Sequence, residues 1–594
     1  MTRPSKSEWL AIILVFAIAA FTRLWHYDEL RFSHDEISAL QRTGYENFAE
    51  LIEKGVATDG HPAFTQVYLY YFRQFFGLNE MGLKSFFTFL SFASLIWILL
   101  IGYRLRKPWA GIYTAALFAC SQSFLMYAHL ARPYGPGLFF SLGSLYFWLS
   151  YFRKSKSGWH LAGFVVFSAL SAYSHHFAAL FCGLLYLSGL RRGSRLYRLS
   201  AFAILTLYAP HLPLFFEQLS LGGIGSWLAP PKANFLPNYF GFIFNYSWLW
   251  GALFLFPVLL GLKLKPKDWR FPEGLLIFLA GLSIAYAYSL LIDPVLQFSV
   301  MVFFAAPLFL SLLVNVKFRK PLSLLVIFSA AGLFSLYYHR QYYPLMYESR
   351  FSFTKEMLEQ DENAYLLSFL DSAKYDFQRA LEPQADHPWR YCNTLLDYQA
   401  ALDEVPKKKT LFIAGNSGLP HEAVHLAIQA GWRLDSIWHR FNLSLYRFIP
   451  QGHKPLKATK YWTSRGDQYQ LTETIKYSQA VEDSLKNIAL PGAVYYLQNW
   501  EITANKAGVV DLAAAVYQGD RLIYWSSRTY RLKAGFQVIP QAMVLPKFKE
   551  DFILKRFAVN TDRLNFSLKA TRWAAYRDNP RWFGRFYSFP RADL

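Results

Sequence analysis

Long apolar stretches separated by short basic loops constrain this 594-residue chain more than any other feature. A helix of about 20 apolar residues is long enough to cross a bilayer. The pattern predicts eleven such helices within residues 9–338. They are 9–25, 86–104, 109–127, 134–152, 159–174, 177–190, 199–215, 241–262, 275–292, 296–314 and 321–338. The sequence therefore predicts a multi-span α-helical membrane protein with about eleven transmembrane helices.

The lysine and arginine residues of this half fall mainly in alternate loops. Cytoplasmic loops of membrane proteins carry an excess of these two residues. The basic clusters are Arg3 with Lys6, then 104–107, 153–156, 191–198, 263–270 and 317–320. The short loops of the other set hold only Arg132 and Lys232. We therefore expect a cytoplasmic N-terminus and an external C-terminal region. The net charge of +21 has the same explanation, so no nucleic acid partner is expected.

Two of the predicted helices, 159–174 and 177–190, are short and separated only by Ser174, His175 and His176. One continuous helix is the alternative. It would place the basic clusters beginning at Arg153 and Arg191 on opposite sides of the membrane. The distribution of charge therefore favours two short spans.

Two loops and a large C-terminal region are predicted on the external side. The loop 26–85 has apolar residues at helical spacing between residues 37 and 52, which suits a helix on the membrane surface. The glycine- and proline-rich loop 216–240 is predicted to be either a mobile segment or a plain connector.

Beyond the membrane domain, 1–338, alternating helix and strand patterns predict an α/β module at 339–455. Its predicted strands are 364–370 and 410–414, and its predicted helix is 420–430. Successive strands predict a β-sandwich-like module at 456–594. These external modules are expected either to receive the molecule on which the membrane domain acts or to cover the outer face of that domain.

An acid pair follows the first predicted span closely. Asp35 and Glu36 stand about ten residues beyond its end. Ionisable groups next to membrane helices are costly to retain without a use. A carboxylate held there could take a proton from an incoming hydroxyl. The structural alternative is an acid pair in the first turn of a helix beginning near Ile37, where it favours the helix dipole.

Six short motifs follow one another along the membrane domain in an order that is typical of one known family. They are Asp35-Glu36, His61-Pro62-Ala63, Phe76-Gly77-Leu78-Asn79-Glu80 with Lys84, Tyr103-Arg104-Leu105, Ala131-Arg132-Pro133-Tyr134 and Tyr173-Ser174-His175-His176. In this order the chain resembles the polyprenyl-phosphate-sugar glycosyltransferases of the integral-membrane C-type (GT-C) fold. That group includes the protein O-mannosyltransferases and the lipid A aminoarabinose transferase. The resemblance covers about residues 8–340.

The resemblance implies roles for eight residues. Asp35 would be the catalytic carboxylate, and Glu36 would support its position. Arg132 and His61 would contact the donor phosphate, with Lys84 as a further contact. Tyr134, His175 and His176 fall in the remaining motifs and are placed in the same phosphate site. The alternatives are a lysine that reaches from a helix end to water for Lys84, and polar capping of a short turn for the two histidines.

The need for a metal is a separate question. Several acids of the predicted external loops could be assembled around a divalent ion. These acids are Asp28, Glu29, Asp35, Glu36, Asp59, Glu80 and Asp293. Arginine and lysine can neutralise a monophosphate leaving group, so no metal or other cofactor is predicted. The chain departs from relatives at Leu296–Ser299, where some have an Arg-Tyr pair.

The leading hypothesis is an inverting glycosyltransferase in the inner membrane of a bacterium. It would move a sugar from a polyprenyl-phosphate carrier to a hydroxyl of a protein, lipid or glycan acceptor in the cell envelope. The alternative is a non-catalytic glycolipid flippase or polysaccharide-assembly partner. A flippase should carry charges deep inside its spans, whereas the predicted spans are almost free of them. The sequence identifies neither the sugar nor the acceptor.

Overall fold

The computed structural model divides the chain into two units, Met1–Ser349 and Arg350–Leu594. The described residues are 3–220, 228, 230–261, 270–340, 342–343, 350–369, 387–392, 395–415, 423, 426–427, 430–440, 443–450, 464–465, 473–475, 479–485, 494–518, 521–532, 534–545, 552–560, 566–569 and 574–577.

Helices make up almost all of the regular structure described in the first unit. They are α1 Lys6–Leu24, α2 His34–Gln41, α3 Phe48–Glu50, α4 Phe64–Phe76, α5 Glu80–Arg104, α6 Pro108–Cys120, α7 Gln122–His129, α8 Tyr134–Arg153, α9 Gly158–Ser174, α10 His176–Gly189, α11 Arg195–Tyr208, α12 Leu212–Ser220, α13 Phe235–Ile243, α14 Trp248–Gly261, α15 Pro272–Leu291, α16 Val302–Leu313 and α17 Pro321–Phe334. Each of the eleven predicted segments overlaps at least one of these helices.

Five of the described helical segments are long and apolar enough to cross a membrane. They are Lys6–Glu29, Glu80–Arg104, Arg195–Ser220, Pro272–Leu291 and Pro321–His339. The pair α13 and α14, bent by 98°, makes a sixth if it is one broken span. The first unit is therefore a helical, multi-pass membrane unit. Length and composition do not support the predicted number of eleven spans: α6, α10 and α16 are apolar but short, and α8 and α9 are not among the helices that meet both criteria.

Two predicted spans are broken rather than continuous. The segment 109–127 is interrupted at Ser121, between α6 and α7. The segment 241–262 is interrupted between α13 and α14, where Asn245 and Tyr246 have positive φ angles of 54° and 52°. The Asn245 side-chain amide donates to Cys120 O at 3.0 Å, and its oxygen accepts from Gln122 N at 2.7 Å. One asparagine therefore satisfies backbone groups that the break beside Ser121 leaves free.

The segment 159–190 forms two helices, as the hairpin interpretation requires. His175 adopts an extended conformation between α9 and α10, with φ −157° and ψ 137°. Helix α10 packs against α8 and α9. The turn at His175 sets the start of α10.

The close approach of α5 to α6 depends on glycine: a Cβ at Gly102 would lie 2.8 Å from the Cα of Gly111. The Gly102 contact lies near the end of α5 that is opposite to Lys84.

The long loop between α1 and α5 differs from its prediction. The predicted helix near residues 37–52 is two shorter pieces, α2 and α3, and α3 continues into a π-helical turn at Leu51–Val56. Helix α4 was not predicted. Gly77, with φ +61°, ends it in a conformation that suits glycine. In the predicted loop 216–240, α12 and α13 occupy the two ends, and 221–227 lie outside the described residues.

The first sheet of the second unit has five strands. They are β1 Ala364–Ser368, β2 Trp389–Tyr391, β3 Thr410–Gly415, β4 Trp432–Arg440 and β5 Leu443–Pro450. Their order is β2-β1-β3-β5-β4, with β1 parallel to both neighbours and β5 antiparallel to β3 and β4. Helices α18 Arg350–Glu359 and α19 Leu395–Glu404 belong to the same region. The predicted strands 364–370 and 410–414 correspond to β1 and β3. The predicted helix 420–430 lies mostly outside the described residues.

Two further sheets follow in the second unit. Their strands are β6 Ser464–Arg465, β7 Glu473–Ile475, β8 Gln479–Leu485, β9 Val494–Ala504, β10 Gly508–Gln518, β11 Arg521–Leu532, β12 Gly535–Leu545, β13 Phe552–Asn560, β14 Phe566–Lys569 and β15 Ala574–Arg577. One sheet has the order β11-β10-β13-β8, and the other has β6-β15-β9-β14-β7 with β12 paired to β9. All their pairings are antiparallel. The division into modules at 339–455 and 456–594, and the sandwich arrangement, stay predictions.

Candidate active site

The predicted acid pair lies in the first turn of α2, which starts with a capping box. The Ser33 hydroxyl accepts from Glu36 N at 3.4 Å, and the Glu36 carboxylate accepts from Ser33 N at 2.7 Å. Asp35 stands between them in sequence. Its side chain is exposed, and its carboxylate has no hydrogen bond or ion pair to any described residue. The two acids therefore have different surroundings although they are adjacent.

Glu36 is fully buried and joins three segments of the chain. Besides Ser33, its Oε2 accepts from Lys84 Nζ of α5 at 3.0 Å. Its Oε1 accepts from Ala131 N at 2.6 Å, just before α8. Because these partners hold Glu36, the backbone of Asp35 is fixed against α5 and the start of α8. This arrangement suits the supporting role expected for Glu36.

Lys84, the partner of Glu36 in this ion pair, is also buried. Its ammonium donates to Glu36 and to Arg31 O, the latter at 2.7 Å. The side chain is 1% exposed, so the alternative of a lysine reaching to water is wrong. The predicted contact of Lys84 with a donor phosphate stays a prediction, and its present contacts position α2 on α5.

Arg132 lies between the first turn of α2 and a second carboxylate. Its Nη1 donates to Asp35 O at 3.4 Å and is 3.9 Å from Asp59 Oδ2. Asp59 is buried, is 3.6 Å from Arg42 Nη1 and accepts a hydrogen bond from the Gln66 amide. The Nε of Arg132 is buried without a partner in the described part of the chain. Asp59 therefore anchors a guanidinium group that keeps donor capacity next to Asp35.

His61, Tyr134 and His175 form a ring cluster beside Arg132. The centroid of the His61 ring is 5.1 Å from that of His175 and 6.4 Å from that of Tyr134. Tyr134 and His175 are 5.7 Å apart. Neither ring nitrogen of His61 has a hydrogen-bond partner among the described residues. Burial, with help from the charge of Arg132, holds the pKa of His61 well below its usual value, so its ring is neutral at pH 7.

The two adjacent histidines do different things. His175 Nδ1 accepts from Phe177 N at 3.1 Å, so the capping alternative is confirmed for this residue. Its ring also contacts His61, as described above. His176 begins α10 and packs its ring 5.4 Å from that of Phe215 in α12. The roles predicted for both in phosphate binding stay predictions.

Three residues of this site were missed by the sequence analysis. The sequence indicates Asp59 only as one of several acids for a metal, and it gives no indication of Arg42. Gln218 of α12 donates to His61 O at 2.8 Å and to Val56 O at 2.9 Å. The segment Thr58-Asp59-Gly60 reads as an ordinary turn. Nothing in its spacing indicates the two arginines that meet it.

Three of the acids weighed for a metal site form ion pairs instead. Glu36 and Asp59 contact Lys84 and the two arginines, and Glu80 Oε2 is 3.1 Å from Arg31 Nη1. Within the described ranges, no group of three or more His, Cys, Asp or Glu side chains could hold a metal ion. The expectation that no metal or cofactor is needed stays a prediction.

No family model matches the sequence. No curated protein matches it either. Among solved structures, the chain is similar to ArnT from Cupriavidus metallidurans bound to undecaprenyl phosphate, at 10% identity and TM-score 0.45, over 75% of this chain and 98% of that one. It is similar to the S. cerevisiae protein O-mannosyltransferase Pmt1–Pmt2 complex bound to the sugar donor, at 17% identity and TM-score 0.27, over 39% and 36%.

A third similarity is to the archaeal oligosaccharyltransferase AglB from Archaeoglobus fulgidus, in complex with an inhibitory peptide and a dolichol-phosphate. It has 10% identity and TM-score 0.37, and it covers 94% of this chain and 96% of that one. All three identities are low and all three TM-scores are below 0.5. The proposed function is therefore derived from the residues of this chain.

Proposed function

We propose that the chain is an inverting membrane glycosyltransferase that uses a polyprenyl-phosphate-linked sugar as donor. Its acceptor is a hydroxyl group of an envelope protein, lipid or glycan. The arrangement of side chains at the first turn of α2 is the observation that carries the proposal. Asp35, an exposed carboxylate with no partner among the described residues, lies in the turn that the buried Glu36 fixes beside the guanidinium of Arg132. A base next to a phosphate-binding cation is what transfer from a sugar phosphate needs.

Asp35 acts as the general base in this mechanism. Its carboxylate takes the proton of the acceptor hydroxyl, and the oxygen attacks the anomeric carbon. The bond between that carbon and the phosphate oxygen breaks, and the configuration at the carbon inverts. Because Asp35 makes no ion pair with a described residue, its carboxylate is available for the proton.

Arg132 stabilises the phosphate as it leaves. The leaving group gains negative charge, which donors aimed at it stabilise in a site with little water. A guanidinium can offer two donors to phosphate oxygens. His61 adds a neutral donor from its tautomer, since both of its ring nitrogens lack a partner within the described segments. As the resemblance implies, Tyr134, His175, His176 and Lys84 are assigned to the same phosphate site in this proposal.

The membrane arrangement belongs to the same proposal. The first unit crosses the inner membrane of a bacterium about eleven times in a GT-C fold, with a cytoplasmic N-terminus. Helices α6, α8, α9, α10 and α16, which do not meet both the length and the hydropathy criteria for a span, then also cross the membrane. The second unit is periplasmic and consists of the α/β and β-sandwich-like modules. The basic clusters of the alternate loops support this orientation.

Mass spectrometry of envelope proteins and glycolipids tests the proposal. A deletion strain of the native host should lack one sugar on one envelope product, and the wild-type chain should restore it. Asp35→Asn should not restore it, although the protein inserts normally. Asp28→Asn is the matched control, because Asp28 is exposed in the same loop and has no partner among the described residues. If Asp35→Asn restores the product fully, a non-catalytic role such as flipping or assembly replaces the proposal.

A further inference from the structure

A groove lies between α14 and α17 and shares no residue with the candidate active site. Its volume is about 930 Å³, within the range of cavities that hold small ligands. The walls are apolar and come from α14, α17 and Tyr113 of α6. Leu249 and Phe256 of α14 and Ile327 of α17 are 67%, 66% and 53% exposed. The side chains of this wall are therefore available to an apolar occupant.

One end of the groove is lined by cations. Lys317 and Arg319, in the loop between α16 and α17, belong to the lining and are exposed. Neither forms an ion pair with a carboxylate in the described part of the chain. The predicted topology places this loop at the cytoplasmic surface, at the level of lipid headgroups. The groove thus combines an apolar wall with two cations that no described carboxylate neutralises.

The loop that presents these cations is fixed. Phe318, between them, stacks on Tyr113 with the ring centroids 4.4 Å apart and the planes at 18°. The Tyr113 hydroxyl donates to Pro321 O at 2.9 Å, at the first residue of α17. Lys320 has a φ of 49° and precedes the proline that starts the helix. Because the loop is anchored on both sides of Arg319, little ordering is needed when a ligand binds.

The chemistry of the groove selects its occupant. A soluble anion would use the cations but not the apolar walls, and a neutral lipid would use the walls but not the cations. An anionic phospholipid uses both, and basic pockets between membrane helices are suited to such headgroups. We propose that the groove binds one anionic phospholipid of the adjacent leaflet, with its phosphate at Lys317 and Arg319 and an acyl chain between α14 and α17. This site is independent of the proposed transferase reaction.

Native mass spectrometry of the full chain in detergent tests the charge requirement. The probes are phosphatidylglycerol and phosphatidylcholine with the same acyl chains. The wild-type protein should bind one phosphatidylglycerol more tightly than phosphatidylcholine. Lys317→Gln with Arg319→Gln should weaken phosphatidylglycerol binding roughly 10- to 30-fold, because each basic residue near the surface contributes to the attraction. Binding of phosphatidylcholine should not change. The charge-matched control is Arg195→Gln with Arg198→Gln, two exposed cations of α11 in another predicted cytoplasmic cluster.

A second variant tests the apolar wall and remains informative if the charge variant folds poorly. Ala252→Trp should fill the groove and abolish the tight phosphatidylglycerol complex, because Ala252 lines it. Leu255→Trp is its control: this side chain is exposed on the same helix but does not line the groove. Both controls should bind phosphatidylglycerol like the wild type.

Three results would overturn the proposal. The first is equal binding of the two phospholipids by the wild type. The second is unchanged phosphatidylglycerol binding in both groove variants. The third is that Ala252→Trp leaves phosphatidylglycerol bound and instead displaces another species, either undecaprenyl phosphate or a second copy of the chain. Each of these results assigns the groove to another occupant or to none.

Discussion

At the scale of single residues, two adjacent acids have separate functions. Asp35 and Glu36 differ by about 100° around the axis of α2, so one side chain is exposed and the other is buried. The acid pair and its place in a first helical turn could be predicted from the sequence. The partners of Glu36 could not, because Lys84 and Ala131 stand 48 and 95 positions further along the chain. Periodicity carries no information about contacts at that separation.

Asp59→Asn should reduce the specificity constant for the donor, because Arg132 then loses its anchoring charge. A small misplacement of a positioning group can lower the rate about 10²-fold. Steady-state kinetics of the purified enzyme measure the effect. Glu53→Gln, which removes an exposed acid from the same loop, should leave the kinetics unchanged. Equal kinetics for Asp59→Asn and the wild type would show that Asp59 does not orient Arg132.

The lowered pKa of His61 predicts how the stability of the folded protein depends on pH. Burial lowers the pKa of His61 in the folded protein, whereas in the unfolded chain it titrates near its usual value of about 6.5. Below that pH the unfolded state binds the extra proton, so stability is lost as the pH falls and is fully present above it. The loss is at most about 1.4 kcal/mol per pH unit for one group.

Thermal unfolding in detergent between pH 7 and pH 5 measures this slope. His61→Asn should make this slope shallower, while His175, whose pKa burial also lowers, keeps part of it. His26→Gln, which replaces an exposed histidine, is the control for the substitution itself. A slope that is the same in His61→Asn and the wild type would place the sensitive group elsewhere.

At the scale of helices, the apolar pattern located the segments but not their breaks. Hydropathy is the same for a straight and a bent apolar segment, so the breaks at Ser121 and at Asn245 were not predicted. Asparagine adopts positive φ more readily than most residues, and it was the available signal at Asn245. Helix α4 was missed because its 13 residues are too few for a span. Gly77, which ends it, could have indicated it.

The contact of α2 with α5 gives a prediction about stability. Glu36→Gln leaves the charge of Lys84 buried without its partner, and breaking such a pair costs about 3–5 kcal/mol. The unfolding midpoint should fall sharply. Adding Lys84→Met to Glu36→Gln should recover part of the loss, because no uncompensated charge then remains. Glu50→Gln removes an exposed pair with Lys54 in the same loop and should change the midpoint little. Similar midpoints for Glu36→Gln and Glu50→Gln would contradict the positioning role of the buried pair.

At the scale of the whole molecule, the distribution of basic residues among the loops predicts the orientation of the chain in the membrane. Side-chain contacts within the protein carry no information about this orientation. Reporter fusions after residues 155, 195, 265 and 318 should all indicate the cytoplasm, because each follows or lies within a basic cluster. A fusion after residue 231, in the opposite loop set, should indicate the outside. A periplasmic signal at residue 195 alone would mean that α9 and α10 do not reverse the chain across the membrane.

The identity of Asp35 as the base is the central claim, and kinetics combined with carrier binding test it most directly. The purified Asp35→Asn protein should bind undecaprenyl phosphate with the wild-type dissociation constant, since Arg132 and His61 are unchanged. Its rate of sugar transfer from the native donor should fall about 10²- to 10⁴-fold, the usual effect of removing a positioned base. Asp28→Asn should match the wild type in both measurements. Transfer by Asp35→Asn at close to the wild-type rate, with normal carrier binding, would contradict the mechanism.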